Sequence, residues 1–210
     1  MKEQALGTDP GAARISSRRD VLLRALAGMV AGLASGKAVA IEADVPRFES
    51  GRYQFTLLRA AQELPPLRLF RLEGGTTDLS ALRGKPILLN FWASWCAACR
   101  IELPALDRLY RDAWRGRVHV VAVSEDRGPR ETVARFVNSL DLKALPIFLD
   151  PNGFVAHSDA GDARKAPFAL FGTPITYVVS SSGAIVGYMP GDADWSSAAA
   201  DDFIAYLSRT

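Results

Sequence analysis

Cysteine and histidine are scarce in this chain of 210 residues, with two of each. Two thiols cannot make a disulfide framework, and His119 and His157 do not raise them to a four-ligand zinc set at the usual spacings, so no metal is expected. An excess of one charge is also lacking. The formal balance is +2, and the basic residues after position 40 are dispersed. No basic stripe exists to neutralise a run of phosphates, and nucleic acid is not an expected partner. Internal repeats are absent, as are low-complexity segments apart from an Ala-rich stretch near the N-terminus. That stretch, Ala25 to Ala34, is rich in Ala and Gly and follows Arg24, so it falls short of the ~20 strongly apolar residues of a membrane span. What remains is ordinary for one globular core, at 49% hydrophobic and 23% charged residues.

The N-terminus reads as an address. A basic segment, a weakly apolar stretch and a small-residue exit at Ala38-Val39-Ala40 follow one another in the order of an export signal. Ser17-Arg18-Arg19-Asp20-Val21-Leu22 resembles the twin-arginine export motif, with Arg18 and Arg19 as its pair; Val21 stands where phenylalanine is usual, and Leu23 where lysine is frequent. We therefore expect residues 1–40 to be a signal peptide and the protein to be exported to the periplasm. Cleavage after Ala40 leaves a mature chain of about 170 residues, and an uncleaved signal tethering the protein to the inner membrane is the alternative.

Residues 41–64 lack a clean period and read as a connector, with a short strand around Tyr53 to Leu58; residues 65–210 form the expected domain. Leu67 to Leu72 alternates, Asp78 to Leu82 suggests a helical turn, and Pro86 to Ala93 is a short apolar run that feeds Trp95-Cys96-Ala97-Ala98-Cys99-Arg100. A helix is predicted from Ala97 to Trp114, kinked by Pro104. A buried strand over Arg117 to Ser124 and a helix over Arg130 to Leu140 follow, then a strand over Pro146 to Leu149 and a turn at Asp150-Pro151-Asn152-Gly153. The segment up to Phe171 reads as partly helical. A hairpin of Pro174 to Ser180 with Ala184 to Met189 and a helix over Ser197 to Ser208 complete the order.

A C-x-x-C at a strand-to-helix junction puts the first sulfur at a helix N-terminus, where unpaired N–H groups and the macrodipole favour the thiolate that attacks disulfides. Cys96 is thus the candidate nucleophile, and Cys99, one turn on, the thiol that resolves the mixed disulfide; together they form the candidate redox-active disulfide.

With this element order and Thr173-Pro174 before the hairpin, the chain from about Pro65 to Leu207 resembles the thioredoxin fold. The fold class implied is α/β, a central mixed sheet flanked by helices, with an N-terminal strand extension. The stretch from Leu89 to Leu106 is similar to the N-F-W-A-x-W-C-x-x-C-x-x-E-x-P-x-L pattern of TlpA and ResA type thiol-disulfide oxidoreductases, the TlpA branch being favoured. Gly172-Thr173-Pro174-Ile175-Thr176 and Gly191-Asp192-Ala193-Asp194-Trp195 resemble two further stretches of that group. Ala98 and Ile175 depart from it, standing where proline and threonine are common. Asn90 occupies the place of the buried aspartate of thioredoxin itself, and the resemblance transfers the task of tuning and deprotonating the buried thiol to Glu102. It also implies a cis Pro174, with Thr173 offering its backbone to an extended substrate strand, and Trp95 and Trp92 shaping the docking surface, a plain core role being the alternative for Trp92. His119 reads as a partly buried strand residue without a ligand role.

The resemblance implies an exported protein-disulfide reductase that works as a monomer without a cofactor. Its partners would be a disulfide-containing protein substrate, either apocytochrome c or a copper-site assembly protein of cytochrome oxidase, and a membrane thiol-disulfide electron donor. Three alternatives stand beside it. A periplasmic thiol oxidase would use the same cysteines in reverse. A Sco-like copper chaperone would pair C-x-x-x-C with a histidine, and this chain has one residue fewer between its cysteines. A peroxiredoxin-type peroxidase would need a P-x-x-x-T-x-x-C motif that the chain lacks.

Overall fold

Residues 45–111, 116–158 and 166–209 are described by the computed structural model, all within the unit Ala40–Thr210. The expected leader with Arg18 and Arg19 lies outside the described residues. The stretch read as a connector holds three strands, β1 (Glu49–Ser50), β2 (Tyr53–Gln54) and β3 (Thr56–Glu63). β4 (Arg68–Arg71) and β5 (Thr76–Asp78) form a hairpin, and a 3-10 turn over Leu79–Leu82 is capped by the Asp78 carboxylate, which accepts from Ser80 N. Next come β6 (Ile87–Trp92), α1 (Ala97–Arg111), β7 (His119–Ser124), α2 (Arg130–Ser139) and β8 (Ile147–Leu149). The chain continues through β9 (Ala156–His157), β10 (Phe168–Ala169), β11 (Ile175–Val179), β12 (Ala184–Pro190) and α3 (Ala198–Leu207).

Eight of these strands form one mixed sheet in the order β3-β12-β11-β6-β7-β8-β4-β5. β6, β7 and β8 are parallel neighbours, and β11 joins β6 antiparallel. All six residues of β6 are buried, as expected of a strand covered on both faces. Successive side chains point to opposite faces. Leu88 and Trp92 pack with Cys99, Leu103 and Leu106 of α1, Val133 and Phe136 of α2, and Phe203 and Ile204 of α3. Ile87, Leu89 and Phe91 pack on the other face with Leu64, Leu69, Phe168 and Tyr177. Asn90 shares the helix-covered face with Leu88 and Trp92, which aims its amide at α1.

Two expectations change. β3 extends the expected short strand to Glu63 and becomes an outer strand of the main sheet, paired with β12. Apart from half-buried Leu58 its residues are exposed, so no buried alternation marks it in sequence; the register comes from its partner. The described part of the segment after Gly153 is not helical but contributes β9 and β10, a parallel pair. The Asp150 carboxylate explains this, since it accepts from the amides of Phe154, Val155 and Ala156 and holds that backbone in a turn leading into a strand.

Candidate active site

Cys96 directly precedes α1 and is bonded to Cys99 as a disulfide. Its sulfur occupies the N-cap position, where it accepts from Cys99 N at 3.1 Å, as a capping side chain accepts from an amide of the first turn. Cys96 is 6% exposed and Cys99 fully buried, so an incoming group meets Cys96 first. Cys96 Sγ lies 3.5 Å from the carbonyl oxygen of Thr173. The Thr173–Pro174 bond is cis, and the Pro174 carbonyl accepts from Gly191 N at 2.8 Å. The structure thus brings together the cysteine pair and the proline loop, which sequence alone could only set side by side.

The two tryptophans part ways. Trp95 is 71% exposed beside Cys96, whereas Trp92 is fully buried and stacks on Phe136 with ring centroids 5.4 Å apart. Trp92 is therefore a core residue and does not shape the docking surface, because its place in β6 aims it under α2. His119 is half-buried at the start of β7, and burial, with Lys85 adding, lowers its pKa.

Glu102 is 2% exposed, one turn beyond Cys99 on the face of α1 that meets the sheet. Its Oε1 accepts from Trp195 Nε1 at 2.8 Å and from Ala193 N at 3.1 Å, and its Oε2 from Asn90 Nδ2 at 2.9 Å. Asn90 Nδ2 also donates to Thr176 Oγ1 at 2.9 Å, while its Oδ1 has no partner among the described residues. Burial pushes the Glu102 carboxyl from 4.5 up to about 7 against the pull of those three hydrogen bonds, with Asp192 adding to the rise. A carboxyl at that value changes protonation near neutral pH and can exchange a proton with a buried thiol. The Trp195 ring that donates to it is itself packed by Phe48, with centroids 5.2 Å apart.

Sequence reasoning missed an acidic pair. Asp126 accepts from Ser94 N at 2.8 Å and Ser94 Oγ at 2.7 Å, tying down the loop that leads to Cys96. Glu125, half-buried beside it, accepts from the Thr173 hydroxyl. Burial raises the Glu125 carboxyl above its ordinary value; the Thr173 hydrogen bond and Arg127 oppose the rise, and Asp126 and Asp150 add to it. No motif announces these residues; the only signal available was their place at the carboxyl end of a buried strand, where open α/β sheets gather their sites.

Comparison with known proteins bears on the family and the fold of the chain. The model of the AhpC/TSA family matches residues 60–188. The chain is 31% identical over 131 residues to the thioredoxin-like protein YneN of Bacillus subtilis, covering 61% of this chain and 69% of that one. It is 34% identical over 120 residues to the thiol-disulfide oxidoreductase ResA of Oceanobacillus iheyensis, and the match spans 57% of each, little more than half of that relative's length. Among solved structures, a thiol:disulfide interchange protein of the thioredoxin family from Chlorobium tepidum superposes with a TM-score of 0.57 at 18% identity, covering 72% of this chain and 99% of that one. The exposed lipoprotein thioredoxin Etrx1 of Streptococcus pneumoniae gives 0.56 at 23% identity, covering 70% and 100%. These two structures speak to the fold alone.

Proposed function

This chain belongs to the AhpC/TSA family, and on that premise we propose that it is a thiol-disulfide oxidoreductase whose cellular direction is the reduction of disulfides in partner proteins. The observation that carries the reading is the Cys96–Cys99 pair at the start of α1, with the nearly buried Cys96 sulfur facing the cis-proline loop. In the reduced protein the Cys96 thiolate attacks one sulfur of the partner's disulfide, forming a mixed disulfide and releasing the partner's other sulfur as a thiolate. Cys99, deprotonated by Glu102, then attacks the Cys96 sulfur; the Cys96–Cys99 bond forms and the second partner thiolate leaves. Two electrons pass to the partner. Thr173 and Pro174 line the approach to Cys96, and Trp95 offers an exposed aromatic beside it.

The Arg18-Arg19 segment supports export, where a dithiol persists only if a donor keeps reducing it. We assign that role to a membrane thiol-disulfide electron donor. The disulfide-bearing substrate we assign is the one implied by the resemblance of Leu89 to Leu106 to the TlpA and ResA pattern: apocytochrome c or a copper-site assembly protein. Among the described residues no helix is long and apolar enough to cross a membrane.

The test is the reduction potential of the Cys96/Cys99 couple, titrated against glutathione or dithiothreitol. A value near or below about −230 mV supports the reductase; one near about −120 mV overturns the direction and makes the protein an oxidant of its substrates.

A further inference from the structure

Glu125 takes no part in the exchange steps above, yet it is built into their surroundings. It follows the last residue of β7, and its amide donates to the Trp92 carbonyl at the end of β6 at 2.9 Å, so its backbone is pinned to the central strand. Its carboxylate accepts from the hydroxyl of Thr173, the residue whose carbonyl oxygen stands 3.5 Å from Cys96 Sγ. The neighbouring Asp126 holds Ser94, two residues before Cys96, through both its amide and its hydroxyl. Consecutive carboxylates on one rigid strand end thus grip the two loops that flank the reactive sulfur. A half-buried carboxylate beside Asp126 and Asp150 is costly to keep, and the bond it makes reaches the proline loop.

We propose that Glu125 is a positioning residue: by accepting the Thr173 hydroxyl it holds the proline loop at its distance from Cys96, and so governs the docking of an extended protein segment that carries a disulfide. The inference rests on the disulfide-exchange reading of Cys96 and Cys99. A protein segment must lie in register along the loop before its sulfur meets Cys96 in line. A small disulfide has no segment to register and reaches the sulfur without the loop's help.

The experiment measures second-order rates of exchange for the reduced full chain with insulin and with the small aromatic disulfide dithiobis(nitrobenzoate). Glu125→Ala is expected to slow insulin reduction by about tenfold, as for loss of one hydrogen bond to a charged acceptor, with the small-disulfide rate held within about twofold. Glu125→Gln keeps an acceptor for Thr173 and should restore the insulin rate to within about threefold. Thr173→Val removes the donor at similar shape and supplies a second comparison should Glu125→Ala fail to fold; it should slow insulin reduction by a similar factor, and the double variant should lose no more than either single one. Equal losses on both disulfides, a Gln variant as slow as the Ala variant, or an unchanged insulin rate each overturn the proposal. An unmutated chain that reduces neither disulfide overturns the exchange reading itself, and one inert only toward insulin overturns the docking role.

Discussion

Glu102 sits in the dry space between α1 and the sheet with its three donors in place, and its chemistry follows from burial that no local pattern reports. The carboxyl ionises near 7 in the folded disulfide form and near 4.5 unfolded, so the folded state holds the proton more tightly. Its contribution is fully present below about pH 4.5 and is lost as pH rises through about 7, a difference on the order of 3 kcal/mol. Urea unfolding of the oxidised protein at pH 5 and pH 8 should therefore show lower stability at the higher pH, and Glu102→Gln should flatten most of that slope; an unchanged slope would assign it to another group. The cysteines make a sharper case. Cys99→Ser should trap a mixed disulfide with insulin on non-reducing gels, whereas Cys96→Ser should trap none, because Cys96 is the nucleophile of the proposed exchange and Cys99 is fully buried. Cys96 and Cys99 were legible from spacing. The position of Glu102 was legible, but its burial was not, and Glu125 carried no motif at all.

Elements were legible where their period is strong. β6, β7 and the helices lie within a few residues of where alternation and helical spacing put them, the expected end of α1 at Trp114 lying outside the described residues, and Ser197 caps α3 by accepting from Ala200 N at 3.2 Å. What joins the elements was not legible. Asp107, near the end of α1, accepts through Oδ1 from the amides of Lys143, Ala144 and Leu145 and through Oδ2 from Arg111, clamping the loop before β8. Burial pushes its carboxyl up, but those amides and Arg111 bring it below the usual aspartate value; the stabilisation it supplies is present above the unfolded pKa and disappears as pH falls through the lowered one. Asp107→Ala leaves three amides without an acceptor and should cost about 2–3 kcal/mol in urea unfolding at neutral pH. At the other edge, Gly187 of β12 has no room for a Cβ against the Phe55 ring and the Thr56 carbonyl. Gly187→Ala should push β3 away, lowering stability by about 1–3 kcal/mol and speeding hydrogen exchange of the β3 amides.

At the scale of the whole molecule, the N-terminal strands belong to the working unit. Phe48 stacks on Phe203 with centroids 5.2 Å apart and also packs on Trp195, Phe55 packs on Phe203 at 4.7 Å, and β3 pairs with β12. A chain of residues 65–210 loses all of these and uncovers Trp195, the donor to Glu102. Compared with residues 41–210, it should unfold at lower urea and lose the pH dependence that comes from Glu102, since water entering beside Trp195 brings the carboxyl back toward 4.5; equal midpoints would show that the strands are dispensable. The amino-acid sequence by itself determined the chemistry: a lone cysteine pair, its place at a strand-to-helix junction and the order of elements around it, because each depends on neighbours a few residues away. Only the tertiary structure decided which carboxylates lie dry and which loops they hold. Glu102 meets Trp195 across 93 positions and Glu125 meets Thr173 across 48, and burial and long-range hydrogen bonds exist only once the sheet has brought those positions to one end.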